Sequence, residues 1–199
     1  MDTETAQLFF SLLTIVAAVG TIGLVVLWIA SAAGNSGAAT LGSAITDAGL
    51  WLAFIVAATA TLGSLYFSEA ADFIPCRLCW FQRIAMYPLS VVLLVGAIRR
   101  DAAARWYAGP LAAIGAVIAG YHTLIEWRPE LDTGTCELSG PSCTATWFRE
   151  FGFISLALMS LVGFLTILAL LFVRFAVTME DTDGGQTDSP TTPLLEEVS

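Results

Sequence analysis

The apolar positions of this chain do not alternate with polar ones. They run together in five long stretches, separated by short polar interruptions. The first, residues 8–30, holds 23 residues without a charge. At 1.5 Å of rise per residue it reaches roughly 35 Å, enough to cross a hydrocarbon core of about 30 Å with some tilt. Asp2 and Glu4 precede it, rather than Lys or Arg, and it is too long for a signal-peptide core. It therefore reads as a retained transmembrane helix. Residues 31–47 are rich in Gly, Ala and Ser and read as a linker or a weak surface helix. Further spans are predicted over residues 49–67, 80–98, 102–125 and 151–173. Arg99, Arg100 and Asp101 make a tight turn, and residues 126–150 make a polar loop with Pro129, Gly134, Gly140 and Pro141. Trp80, Trp127, Trp147 and Phe148 stand at predicted helix ends, where interfacial aromatics collect.

The predicted fold class is an all-α membrane protein, a four-helix transmembrane bundle core plus one extra N-terminal transmembrane helix. The expected organisation is residues 1–47 for the extra helix and linker, 48–174 for the core, and 175–199 for an acidic, disordered tail. Composition agrees: 57% of the residues are hydrophobic and 13% charged, where a soluble domain carries about 25% charged residues. All eight basic residues are Arg, and 17 acids bring the net charge to -9. That balance excludes nucleic acid as a partner, because phosphate binding needs basic side chains. Lipid is the expected surrounding.

Four cysteines remain to be placed: Cys76, Cys79, Cys136 and Cys143. Two predicted spans separate Cys79 from Cys136, so the chain returns to the side it left and all four share one face. Arg99, Arg100 and Arg105 surround the opposite turn, and Arg174 falls on that side as well. The positive-inside rule makes that side cytoplasmic. The cysteines then face outward, where disulfides persist, with the N-terminus outside and the acidic tail inside.

The segment Pro75-Cys76-Arg77-Leu78-Cys79-Trp80-Phe81-Gln82-Arg83 carries the densest chemistry. A C-x-x-C pair at a helix start closes a small, reducible disulfide, and the helix N-terminus favours a thiolate. Arg83 lies one turn beyond Cys79 on the same helix face. A cation at membrane depth is costly and usually functional. It can stabilise a thiolate or a negatively charged reduced ring, and Gln82 can donate to a carbonyl oxygen. Against this stand a four-thiolate zinc site, a structural disulfide, and an Arg83 that merely snorkels to the interface. The C-x6-C spacing of Cys136 and Cys143 does not suit a zinc knuckle, and no metal is expected. That second pair sits in a Pro/Gly loop. It is either a local staple or a relay that exchanges with the first pair. His122, the one histidine, lies near the outer end of its span and is either an interfacial polar residue or a donor to a ring oxygen.

Residues 76–89, Cys-Arg-Leu-Cys-Trp-Phe-Gln-Arg-Ile-Ala-Met-Tyr-Pro-Leu, resemble the signature of the DsbB family of disulfide-bond formation proteins, including its Gram-positive BdbC-type members. The order of elements is similar too: span, C-x-x-C, two spans with a tight turn, a loop with a second Cys pair, final span. Tyr121-His122-Thr123-Leu124-Ile125-Glu126 resembles the family's His-containing helix end. The resemblance covers roughly residues 48–174 and implies an enzyme, a disulfide-generating thiol:quinone oxidoreductase. It implies a DsbA-like thioredoxin-fold thiol oxidase as partner and a quinone of menaquinone or ubiquinone type as electron acceptor. Cys136 would form the mixed disulfide with the partner. Cys143 would resolve it or pair transiently with Cys76. Cys79 would contact the quinone, with Gln82, Arg83 and His122 near the ring. Glu126 stands where family members often carry Gln, and the helix over residues 8–30 exceeds the family's four spans.

Two rivals are weighed. A vitamin K epoxide reductase-like enzyme normally places its redox C-x-x-C after the loop cysteines, whereas here it comes first. A non-catalytic membrane protein with structural disulfides would lose stability, not oxidase activity, in Cys79→Ser.

Overall fold

The computed structural model describes residues 2–132 and 141–173. Cys136, Arg174 and the tail expected over residues 175–199 lie outside the described residues. Within them the chain forms five α-helices: α1 Thr3–Ala32, α2 Ser36–Glu69, α3 Arg77–Arg99, α4 Ala104–Trp127 and α5 Leu156–Phe172. The first four are each long and apolar enough to cross a membrane. The protein is an all-α, multi-pass membrane protein.

Two boundaries differ from the sequence expectation. Residues 31–47, expected as a linker or a weak surface helix, are helical: the chain breaks only over residues 33–35, and α2 then runs unbroken through position 47. Gly34 turns the chain with φ 91°. Asn35 caps α2 by accepting from the Ala38 backbone N–H at 3.0 Å. Five alanines between positions 36 and 53 favour the helix that the glycines weaken. At the other end α5 begins at Leu156 rather than at 151. Phe151 and Gly152 both take positive φ, and Glu150 bridges Ile154, so these residues form a tight turn. Ser155 then caps the helix by accepting from the Leu158 N–H. The Arg99–Asp101 turn forms as expected, with Arg100 left-handed at φ 53° and Asp101 accepting from the Ala103 N–H.

Helices α2 to α5 pack in a ring, each against its two neighbours, and α1 lies in the outer groove between α2 and α5. The core is built from Leu89, Leu93, Phe164 and Ile167, all fully buried, between small residues such as Ala57, Ala108 and Ala112. Lipid tails are as apolar as leucine, so helices here associate through close packing rather than hydrophobic exclusion. Gly109 and Gly115 of α4 receive the rings of Phe172 and Phe164 from α5; a Cβ at Gly115 would stand 2.3 Å from the Phe164 ring.

The loops at one end are joined by stacked aromatic rings. Phe73, before α3, stacks on Trp147 at 4.8 Å and on Phe67 of α2 at 5.6 Å. This clasp holds the α2–α3 and α4–α5 connections together beside the C-x-x-C segment.

Candidate functional site

Cys76 is the N-cap of α3 and Cys79 lies in its first turn. Cap geometry turns the Cys79 N–H onto Cys76 Sγ at 3.3 Å. Both are free thiols, and their sulfurs lie 2.9 Å apart, so closing a disulfide of about 2.05 Å needs little motion. Cys143 is disulfide-bonded and fully buried. It shares a buried cluster with Cys76, Leu78 and Ile125. The three described cysteines thus meet at one end of the bundle, as the count of crossings expects.

The two thiols face different surroundings. Cys76 is 5% exposed and packs toward the loop that carries Cys143. Its Sγ lies 3.7 Å from His122 Nε2. The Cys79 thiol bonded to it lowers the Cys76 pKa to about 4, against the cost of burial, and the His122 hydrogen bond and charge add to the effect. Cys79 instead lines an apolar cavity of about 670 Å³, together with Gln82, Arg83 and Met86.

Arg83 turns to α2. Its Nε donates to Ser64 Oγ and its Nη2 to the Ser64 carbonyl, both at 3.0 Å. The guanidinium also lies over the Trp80 ring, 5.3 Å from its centroid. Tyr87 donates to the same Ser64 hydroxyl at 3.4 Å. Ser64 and Tyr87 were not legible as site residues. Tyr87 is one turn from Arg83, which is a weak signal, but nothing near Ser64 in sequence marks it.

Gln82 and His122 form a buried pair, with Gln82 Nε2 3.0 Å from His122 Nδ1. An amide NH2 only donates, so Nδ1 accepts and a neutral imidazole carries its proton on Nε2. That nitrogen faces Cys76 Sγ at 3.7 Å and Glu126 Oε1 at 3.9 Å. His122 is 3% exposed and reaches the cavity through Gln82 rather than lining it. Glu126 is buried beside it, one turn along α4, and accepts from the Ser155 hydroxyl. The Glu126 backbone carbonyl accepts from Arg149. The array Gln82–His122–Glu126–Ser155 thus ties α3, α4 and the start of α5 together behind Cys76.

Cys76 Sγ, Cys79 Sγ and a His122 ring nitrogen all lie within 4.8 Å of one another, and that trio is also able to hold a soft metal ion. The cavity suits a different ligand. Its charged and amide groups, Arg83 and Gln82, gather at the cysteine end, and beyond them the lining is mainly hydrocarbon with a few Thr and Ser hydroxyls, the pattern of a site for an amphipathic molecule.

The family model for "Disulfide bond formation protein DsbB" matches residues 46–174. The chain belongs to the DsbB family. Curated relatives agree with that assignment. A probable disulfide formation protein C 2 from Bacillus anthracis is 43% identical over 123 residues, 62% of this chain and 87% of the relative. The disulfide bond formation protein C of Bacillus subtilis is 40% identical over 119 residues, 60% of this chain and 86% of the relative. A probable disulfide formation protein from Deinococcus radiodurans is 40% identical over 149 residues, 70% of this chain and 97% of the relative. No solved structure matches. As a DsbB-family member the chain is a membrane protein of disulfide-bond formation. The match to the family model begins inside α2, so all of α1 lies outside it.

Proposed function

We propose that this protein is a thiol:quinone oxidoreductase that reoxidises an extracytoplasmic, DsbA-like dithiol oxidase. One observation carries the reading: the free pair is two-sided. Cys76 packs against the loop that holds disulfide-bonded Cys143, while Cys79, 2.9 Å away, opens onto the apolar cavity.

In this reading the partner's dithiol attacks the loop disulfide at Cys136 and leaves as a disulfide after exchange, having given up two electrons and two protons. The Cys143 thiol so formed attacks an oxidised Cys76–Cys79 bond at Cys76. Resolution by Cys136 restores the loop disulfide and leaves Cys76 and Cys79 as a dithiol. A low thiol pKa makes Cys76 a good leaving group in that exchange. A quinone held beside Cys79, Gln82 and Arg83 would supply the acceptor for the two electrons and two protons released when the Cys76–Cys79 bond re-forms. Arg83, fixed by Ser64, supplies positive charge beside Cys79 and the cavity end, and Gln82 supplies an amide to the same space. His122 Nε2 holds a proton facing Cys76 Sγ, with Glu126 behind it. The positive-inside reading supports an outward-facing cysteine end and a cytoplasmic tail.

The test is to follow quinone reduction optically while adding a reduced thioredoxin-fold dithiol oxidase, with each cysteine replaced in turn. Catalytic oxidation is expected for the wild type, with loss in every cysteine variant. Activity that survives Cys136→Ser but not Cys76→Ser would overturn the relay.

A further inference from the structure

Helix α1 lies outside the region that matches the family, yet it makes one long wall of the cavity. It is held to the bundle at two levels. Near the cysteine end, the Phe10 ring fills the notch at Gly63, where a Cβ would stand 2.7 Å away, and it sits 5.5 Å from the Phe67 ring. Farther along, the hydroxyls of Thr21 and Thr166 meet at 2.9 Å. The helix also buries Ala6, Ser11 and Leu24. It turns Ala17, Gly20 and Gly23 toward the cavity, and a Cβ at Gly20 or Gly23 would meet nothing within 4 Å.

The resulting channel is long and chemically polarised. Its α1 wall extends from Phe10 to Leu27, a rise of about 26 Å, close to the roughly 30 Å of a hydrocarbon core. Cys79, Gln82 and Arg83 stand at one end, and Leu27, Ile45 and Leu170 at the other. The α1 hydroxyls along the way, Thr14 and Thr21, already donate to the carbonyls of Phe10 and Ala17. They therefore add little polarity. A compact polar ring at the cysteine end, trailing a linear hydrocarbon chain toward the opposite face, fits this shape.

We infer that α1 is a specificity wall: with α2 and α5 it encloses the polyisoprenoid tail of the quinone, and its small residues at positions 17, 20 and 23 set the width available to that tail. The inference rests on the thiol:quinone reading and extends it to a helix that the family match does not include. A tail seated here holds the ring at Cys79 by burying apolar surface remote from the reacting atoms.

The test uses the full-length protein in nanodiscs and measures binding directly, by quenching of tryptophan fluorescence. Trp147 lines the cavity and Trp80 lies beside Arg83. The probes are menaquinone-4, which carries an isoprenoid tail, and menadione, which has the same ring without it. Gly20→Leu and Gly23→Leu fill the channel at positions with open space, so both are expected to fold, as thermal unfolding will report. Each should weaken menaquinone-4 binding about tenfold and leave menadione binding within about twofold. The matching steady-state result is a higher KM for the tailed quinone alone. Val19→Leu on the exposed face of α1 should change neither. Equal weakening of both probes, or no effect on either, would overturn the inference. So would unchanged menaquinone-4 binding together with loss of co-purifying phospholipid, which would make the channel a lipid seat. If the wild type binds neither probe, the thiol:quinone reading fails first and takes this inference with it.

Discussion

At the scale of single residues, the two adjacent sulfurs of the candidate site have different surroundings. Cys76 owes its low pKa first to the hydrogen bond from Cys79 and then to His122. The folded value lies below the ordinary thiol range, so the thiolate is present at neutral pH and is lost as pH falls through about 4. By linkage, the reduced protein has the full stability gain from this group above the unfolded thiol pKa, and that gain declines progressively as pH falls from there to about 4. Cys79→Ala should move the Cys76 midpoint upward, read by ultraviolet thiolate absorbance against pH; an unmoved midpoint would show that Cys79 is not the principal cause. Arg83 belongs to the other side of the pair. Arg83→Ala is expected to raise the KM for quinone about tenfold, the scale of a lost charge-assisted hydrogen bond, while partner exchange changes little. Equal loss in both half-reactions would remove Arg83 from the cavity side. Glu126, read from the sequence as a departure from the family pattern, proves to be a buried neighbour of His122. The sequence offered i, i+4 spacing on one helix for that contact, but not its burial or the Ser155 bond.

At the scale of elements, caps and glycine notches decide where helices begin and how closely they approach. Ser155 has two roles: it caps α5 and donates to Glu126. Ser155→Ala removes the cap and deprives a buried carboxyl of its donor, at a cost of about 1–3 kcal/mol. Thermal unfolding in detergent should report it, and a change confined to activity would count against the structural role. Gly115 accepts the fully buried Phe164 ring, which has nowhere to retreat. Gly115→Val should therefore destabilise the α4–α5 pair by about 1–3 kcal/mol, whereas Gly20→Ala on α1, facing open space, should not.

At the scale of the whole molecule, the described helices and loops bring Cys76, Cys79, Cys143 and His122 to one end. The stacked Phe73 and Trp147 rings clasp the connections on either side of the site. The proposed outward orientation of that end rests on arginine placement, and a direct check is at hand. A membrane-impermeant maleimide applied to intact cells should label reduced cysteines at this end and spare a cysteine introduced by Ala102→Cys at the α3–α4 turn. The reverse pattern would invert the proposed topology and place the relay in a reducing compartment.

The sequence by itself determined the class of this protein and named the residues proposed to carry its chemistry. Uninterrupted apolar runs require helices in lipid, because each backbone polar group must find its partner within the segment. Counting crossings predicted one face for the four cysteines, and the structure brings the described three, Cys76, Cys79 and Cys143, to one end; the C-x-x-C segment with Arg83 and His122 pointed to the candidate site. Only the tertiary structure decided which side chains share that site. Ser64 holds Arg83 from 19 residues before it, and Tyr87 donates to the same Ser64 hydroxyl. His122 reaches Gln82 across 40 residues. Such contacts depend on how helices rotate and lean against one another. That is set by small residues and ring positions spread over several elements, not by any local pattern. For the same reason α1 read as an added span in the sequence, and its place along the cavity became visible only once it was packed against α2 and α5.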